Sequence, residues 1–166
     1  MPLFADDPAR NLPEAVRAAL ETVKDPEIPA LNVLEMGVVR DVALEGGRIA
    51  VTITPTYSGC PAMHAIELDI VRALDHAGFA DAIIRTSYAP AWTTDWLTDA
   101  AREKLRRSGI APPAASSKRA MLGDVVACPR CGARQTEKLS EFGSTACKAI
   151  YRCLACAEPF DHFKCI

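Results

Sequence analysis

Two Cys-x-x-Cys pairs govern what the C-terminal part of this chain can become. Cys128-Pro129-Arg130-Cys131 and Cys153-Leu154-Ala155-Cys156 stand 21 residues apart. Each such turn folds two sulfurs onto one side of a tetrahedron, and the second turn supplies the other side. The spacer is long enough for a hairpin, with Ala133 to Ser140 leading out, Glu141-Phe142-Gly143-Ser144 turning and Thr145 to Arg152 returning. This is the pattern of a zinc ribbon with Cys128, Cys131, Cys153 and Cys156 as ligands. No thioredoxin-like βαβ setting surrounds either pair, which disfavours a redox dithiol. So few large apolar side chains fill the segment that the metal is expected to supply most of its stability, ~10 kcal/mol or more. Four thiolates suit iron as well as zinc, so the residues alone leave the ion open.

Seven cysteines are present, an odd number, and only Cys60 lies outside the last 39 residues. The N-terminal Met1-Pro2-Leu3-Phe4-Ala5-Asp6-Asp7 has no apolar run of the kind a secretory signal carries. The expectation is a cytoplasmic protein whose thiols serve metal rather than disulfides. Cys147 and Cys165 are left over. If Thr145–Arg152 and Glu158–Cys165 pair antiparallel, both sulfurs lie at the end away from the metal, with His162 close by. They are then either two small buried hydrophobes or a second metal or redox pair.

Charge divides as the cysteines do. Residues 1–110 carry 11 Lys/Arg against 16 Asp/Glu, and residues 111–166 carry 8 against 5. The net charge of -2 gives no global field favouring nucleic acid or a membrane surface. No apolar run approaches the ~18 to 20 residues of a membrane helix. Between the two parts, Ala111-Pro112-Pro113-Ala114-Ala115-Ser116-Ser117-Lys118-Arg119 has the composition of a linker. The division expected is an α/β domain over 11–110, a linker over 111–124 and a zinc ribbon over 125–166.

The first part reads as α-β-β-α-β-α. Asn11 and Glu14 form a capping-box pattern, and Leu12, Ala15, Val16, Ala19, Leu20 and Val23 follow at helical spacing. Asp25-Pro26-Glu27-Ile28-Pro29 stops that helix. Val42 and Leu44, then Ile49, Val51 and Ile53, alternate on either side of Gly46-Gly47, a two-residue hairpin signal. A second helix is predicted from about Cys60 to Ala77, with Met63, Ile66, Ile70, Leu74 and Ala77 inward and Gly78 at its end. Asp81 to Ala89 reads as a third strand. Thr94 is expected to cap a third helix carrying Leu97, Ala101 and Leu105. The class is α+β: a two-layer domain with a mixed three-stranded sheet, followed by a small β zinc ribbon.

Thr54-Pro55-Thr56-Tyr57-Ser58-Gly59-Cys60-Pro61-Ala62 puts a thiol at a strand-to-helix turn. Unpaired amides and the positive dipole end there favour thiolate, so the pKa of Cys60 is expected to fall below its free value. His64, one turn on, is a candidate second ligand or proton carrier, or simply exposed. Asp25 and Glu27 either hydrogen-bond backbone near the Cys60 turn or are solvated. Trp92 and Trp96 are expected to pack rather than to line a ligand site.

Asp25-Pro26-Glu27-Ile28-Pro29, Met36-Gly37-Val38-Val39, Tyr57-Ser58-Gly59-Cys60-Pro61-Ala62 and Pro90-Ala91-Trp92-Thr93-Thr94-Asp95-Trp96 together resemble the small domain of iron–sulfur assembly factors, the SufT type included. With Gly109-Ile110-Ala111-Pro112-Pro113, Phe142 to Ala149 and Glu158 to Cys165 added, residues 11–166 resemble the PaaD family, the small D components of bacterial phenylacetyl-CoA epoxidase systems. The resemblance implies an accessory role in aerobic phenylacetate breakdown. Such a component assists maturation or repair of a metal centre in the oxygenase or reductase component rather than turning over substrate. It maps Cys60 onto the assembly domain's reactive cysteine and Asp25 and Glu27 onto its acidic loop. Cys60 then holds iron or an iron–sulfur cluster transiently, alone or across a homodimer.

The residues agree with a non-catalytic role. There is no Glu-x-x-His for a di-iron site, no Gly-x-Gly-x-x-Gly, no Gly-x-x-x-x-Gly-Lys and no Gly-x-Ser-x-Gly. Two other readings stand beside it. One is a purely structural ribbon subunit with an inert Cys60. The other is a nucleic-acid-binding ribbon, for which the tail's excess of 8 Lys/Arg over 5 Asp/Glu speaks and against which its few aromatics, some needed for the small core, weigh.

Overall fold

The computed structural model describes residues 13–113 and 125–164. The chain divides into two compact units, with the boundary between Trp92 and Thr93. Its overall class is α+β with a three-stranded mixed sheet, as the residue pattern predicts.

The first unit begins with α1, Glu14–Thr22. Pro13 occupies the cap position, and Glu14 places a negative charge in the first turn, where the helix dipole favours it. The predicted Asn11 cap lies outside the described residues. Val16, Ala19 and Leu20 are buried as expected, whereas Ala15 faces solvent. Strand β1, Val39–Glu45, pairs antiparallel with β2, Arg48–Ile53. Gly46 and Gly47 turn between them at φ +55 and +82, a left-handed pair that side chains resist. A register shift between Val39 and Asp41 turns Arg40 into the interior, where burial lowers its pKa. Leu44 is exposed near the end of this edge strand.

Helix α2 spans Ala62–His76 and β3 spans Ile83–Thr86. Strand β3 pairs parallel with β2, so the sheet order is β1-β2-β3. Ile66, Ile70 and Leu74 bury the inner face of α2. Met63 is only half-buried and Ala77 is exposed, because the helix starts two residues later than predicted and ends before Ala77. Trp92 closes the unit. It is buried, and its indole N–H donates to the Met36 carbonyl at 2.9 Å. Packing is therefore its role, as predicted.

The second unit opens with a single 3-10 turn, Thr94–Trp96, whose cap is Thr93. Helix α3, Asp99–Arg107, follows, and its cap is Thr98, which accepts from the Ala101 amide. Thr94 therefore does not start the helix; it is buried within the turn. Gly109 takes φ +83 after the helix, and β4, Ile110–Ala111, follows. Strands β5, Thr136–Ser140, β6, Lys148–Cys153, and β7, Pro159–Phe163, complete a four-stranded sheet ordered β4-β7-β6-β5. Strand β4 pairs parallel with β7, Ile110 against Asp161 and Ala111 against His162. The boundary thus falls earlier than the proline-rich stretch on which a linker was predicted, and Ala111 is a ladder residue. Pairing with a strand 51 residues away leaves no local trace in composition. Residues 114–124 of that stretch lie outside the described residues.

Among the described residues no helix is long and apolar enough to cross a membrane.

Candidate functional site

Cys128 and Cys131 sit in the turn before β5, and Cys153 ends β6 with Cys156 in the turn that follows. The backbone repeats itself in the two turns. The Cys128 amide donates to the Ala133 carbonyl and the Cys153 amide to the Glu158 carbonyl, both at 2.9 Å. The residue after each second cysteine takes positive φ, Gly132 at 76 and Ala157 at 62. The Leu154 amide donates to the Gln135 carbonyl, tying one turn to the other.

The four sulfurs converge, all lying within 4.8 Å of one another. Cys128 and Cys156 are 3.8 Å apart, and Cys131 and Cys153 are 3.6 Å apart. A tetrahedral ion with metal–sulfur bonds of about 2.3 Å has sulfur–sulfur edges of about 3.8 Å. The donors present therefore fit a four-thiolate metal site without rearrangement. Ionisation is uneven. Amides of Cys156 and Ala155 hold Cys153 down to about 7. The Ala133 amide also pulls on Cys131, but the crowded neighbouring thiols overcome it and push Cys131 up to about 12. Four thiolates in one place need a cation to neutralise them, and a metal supplies it. Cys128 and Cys153 are buried, while Cys131 and Cys156 face solvent. Ala111, Cys128, Cys153 and Phe160 form a small core around the site, with Val126, Ala133 and Tyr151 packed against it.

Cys60 occupies the other candidate site, in the first unit. It is half-buried and precedes α2, beyond the left-handed Gly59 at φ +80. Its amide donates to the Tyr57 carbonyl at 3.2 Å. The expected depression of its pKa is overturned. Burial pushes the Cys60 thiol up from its ordinary 9.0, and the charges of Glu27 and then Asp25 push the same way. Donation from the Ala62 amide and the Tyr57 hydroxyl only partly offsets this. The helix start does lower the thiol's pKa through the Ala62 amide, but burial outweighs it, and the charges of two carboxylates more than 30 residues upstream add to the rise.

The acidic loop therefore does approach Cys60. Asp25 is buried, and its Oδ1 accepts from the amides of Glu27 at 2.7 Å and Ile28 at 2.8 Å. It is the brace of its own loop, and Glu27 is the half-buried carboxylate of the pair. A second brace was missed in the residue pattern. Asn32 Oδ1 accepts from the Leu34 and Glu35 amides, while Glu35 Oε2 accepts from the Asn32 amide. Asn-x-x-Glu is the signal that could have found this reciprocal cap. His64 lies exposed in the first turn of α2.

Of the two leftover cysteines, only Cys147 lies within the described residues. Cys147 is buried, with its sulfur 3.1 Å from the Thr145 hydroxyl. The Lys164 amide donates to the Cys147 carbonyl at 2.9 Å. Cys165 lies outside the described residues. His162 is held by the Ala111 carbonyl at 3.2 Å and by the Tyr151 ring, and burial lowers its pKa.

Comparison with known proteins agrees with both halves. Residues 112–164 match the profile of the PaaD zinc beta ribbon domain, and residues 13–80 match that of the iron-sulfur cluster assembly protein family. Over 149 residues the sequence is 50% identical to an Escherichia coli (strain K12) protein provisionally named as the D component of 1,2-phenylacetyl-CoA epoxidase. The match covers 90% of each chain. This chain belongs to the PaaD family. Its PaaD ribbon is joined to a domain with wider relatives. The Fe-S protein maturation auxiliary factor YitW of Bacillus subtilis (strain 168) is 34% identical over 89 residues, 52% of this chain and 86% of that protein. The crystal structure of a DUF59 domain from Bacillus anthracis aligns with a TM-score of 0.50 at 26% identity, covering 54% of this chain and 87% of that one.

Proposed function

We propose that this protein is a non-catalytic accessory component of a phenylacetyl-CoA epoxidase in the cytoplasm, and that it assists maturation or repair of an iron or iron–sulfur centre in the oxygenase or reductase component. The observation that carries the reading is the half-buried Cys60 at the start of α2, near enough to Glu27 and Asp25 for their charges to act on its sulfur. The kinship with an epoxidase D component and with Fe–S maturation factors supports it.

The local electrostatics suit a cargo site better than a nucleophile. Neighbouring carboxylates disfavour an empty thiolate but favour an arriving cation. Iron binding to Cys60 displaces the thiol proton to solvent, and release of the iron lets the sulfur reprotonate. A single sulfur beside one half-buried carboxylate binds loosely enough to hand its cargo on. His64, exposed nearby in sequence, is the proposed proton carrier or further ligand. In the ribbon, Cys128, Cys131, Cys153 and Cys156 hold zinc, which supplies the charge and the cross-link that keep the unit folded.

The test is co-expression of the oxygenase and reductase components with wild-type chain or with Cys60→Ala, followed by assay of iron and acid-labile sulfide in the purified partners. The variant is expected to melt as wild type and to leave its partners metal-poor. Partners with full iron content would overturn the reading. The raised thiol of Cys60 favours one alternative, an inert cysteine in a structural subunit, and the same experiment would then find the variant indistinguishable. Nucleic acid remains disfavoured. Arg130 pairs with Glu158, Arg152 with Glu137 and Lys138 with Glu141, so these cations do not form a free basic face.

A further inference from the structure

Helix α3 is nine residues long and would be marginal in water by itself. Its inner residues Ala101 and Leu105 are fully buried, and it packs against β4. Strand β4 is short, yet it is fastened from several sides. It pairs with β7, and His162 Nδ1 lies 3.2 Å from the Ala111 carbonyl. Arg102 Nη1 donates to the Pro113 carbonyl and Arg102 Nη2 to the Thr94 carbonyl, both at 2.7 Å. The turn Thr94–Trp96, α3 and β4 thereby form one clip.

The clip closes on the metal ligands. Ala111 is buried and shares its small core with Cys128, Cys153 and Phe160. Cys128 and Cys153 are the buried ligands, and each lies close to an exposed ligand of the opposite turn. Cys128 is 3.8 Å from Cys156, and Cys153 is 3.6 Å from Cys131. A thiol bound to metal is deprotonated outright. Oxidants reach the thiolates that face solvent, and a second sulfur close by turns the first product into a disulfide.

We propose that the four-thiolate site is a peroxide-sensitive latch: oxidation joins Cys131 to Cys153, the metal leaves, and the loss reaches β4 and α3 through Ala111. The exposed Cys131 thiolate attacks the O–O bond of hydrogen peroxide, becomes a sulfenic acid and releases hydroxide. The Cys153 thiolate attacks that sulfur, the S–S bond forms and a second hydroxide leaves. Two sulfurs have then given two electrons to one peroxide, and two protons from solvent convert the hydroxides to water. Cys128 and Cys156 remain as thiolates and no longer complete a tetrahedron. Cys153 has meanwhile shifted within the core on which Ala111 rests. The latch goes beyond the cargo reading, since neither Cys60 nor a partner takes part in it.

The experiment treats full-length, zinc-loaded wild-type chain with a small excess of hydrogen peroxide. A chromogenic chelator reads zinc release, non-reducing peptide mass mapping reads the bonds formed, and amide hydrogen exchange reads α3, with α2 as the internal reference. The expected result is loss of about one ion per chain, a bond between Cys131 and Cys153, and exchange in α3 faster by about tenfold or more while α2 is unchanged. A thiol reductant and added zinc are expected to reverse all three. Zinc retained in excess peroxide overturns the latch. A bond within either Cys-x-x-Cys turn, or sulfinic acid with no bond, overturns the pairing. Zinc lost with α3 exchange unchanged overturns the coupling through Ala111.

Discussion

Replacing Cys153 and Cys156 singly by serine should have unequal effects, because the structure buries one sulfur and exposes the other. Cys156 faces solvent, so in Cys156→Ser water can complete the tetrahedron around an ion still held by three thiolates. Cys153 is fully buried against Cys128 and Phe160, where no water replaces the missing ligand. Changes outside the ligand shell already lower metal affinity about 10- to 100-fold, so loss of this buried ligand should exceed about 100-fold. The metal's contribution to a domain of this kind is ~10 kcal/mol or more, and each kcal/mol moves the melting of a 60- to 100-residue unit by about 4–8 °C. Cys153→Ser should therefore lose its ion to a competing chelator and leave the second unit unfolded at 25 °C. Cys156→Ser should keep about one ion per chain and melt lower. Elemental analysis after gel filtration, a chromogenic zinc chelator and near-ultraviolet circular dichroism through Tyr151 read the three quantities. Equal retention by both variants, or wild-type melting unaffected by complete metal removal, would refute the argument that metal holds this unit together.

Alkylation of Cys60 by iodoacetamide should be slow at neutral pH and should climb about tenfold per pH unit through pH 9 without levelling, because its thiol lies above its ordinary 9.0. Glu27→Gln should speed it by removing a negative charge near the sulfur, and a plateau below pH 8 would contradict this placement. Burial depresses the pKa of His162 below its ordinary 6.5, so the unfolded chain takes up the proton first as pH falls. The stability this group contributes is full above about pH 6.5 and is lost as pH drops toward the folded value. Denaturant midpoints of wild type should therefore fall below pH 6.5 more steeply than those of His162→Phe. Trp92→Phe removes the 2.9 Å donor to the Met36 carbonyl and should cost the first unit about 1–3 kcal/mol, measurable as a lower urea midpoint at unchanged slope.

What local order determines was legible without coordinates. Two Cys-x-x-Cys turns put four sulfurs on one ion, and Gly46-Gly47 closes a hairpin because each demands only its nearest neighbours. The inward face of α2 at Ile66, Ile70 and Leu74 follows from a 3.6-residue period. Helix starts were less secure, since Thr94 and Thr98 offer the same hydroxyl and only packing chooses between them. Three features belonged to tertiary structure alone. Strand β4 joins the ribbon sheet through β7, a parallel pairing that no local pattern announces. The backbone of Lys164 closes on Cys147, its amide donating to the Cys147 carbonyl. The thiol of Cys60 is raised rather than lowered, because its helix end acts locally while burial and the charges of Glu27 and Asp25 arrive through the fold. Charge acts through space, and where a chain brings its distant carboxylates is decided by its packing.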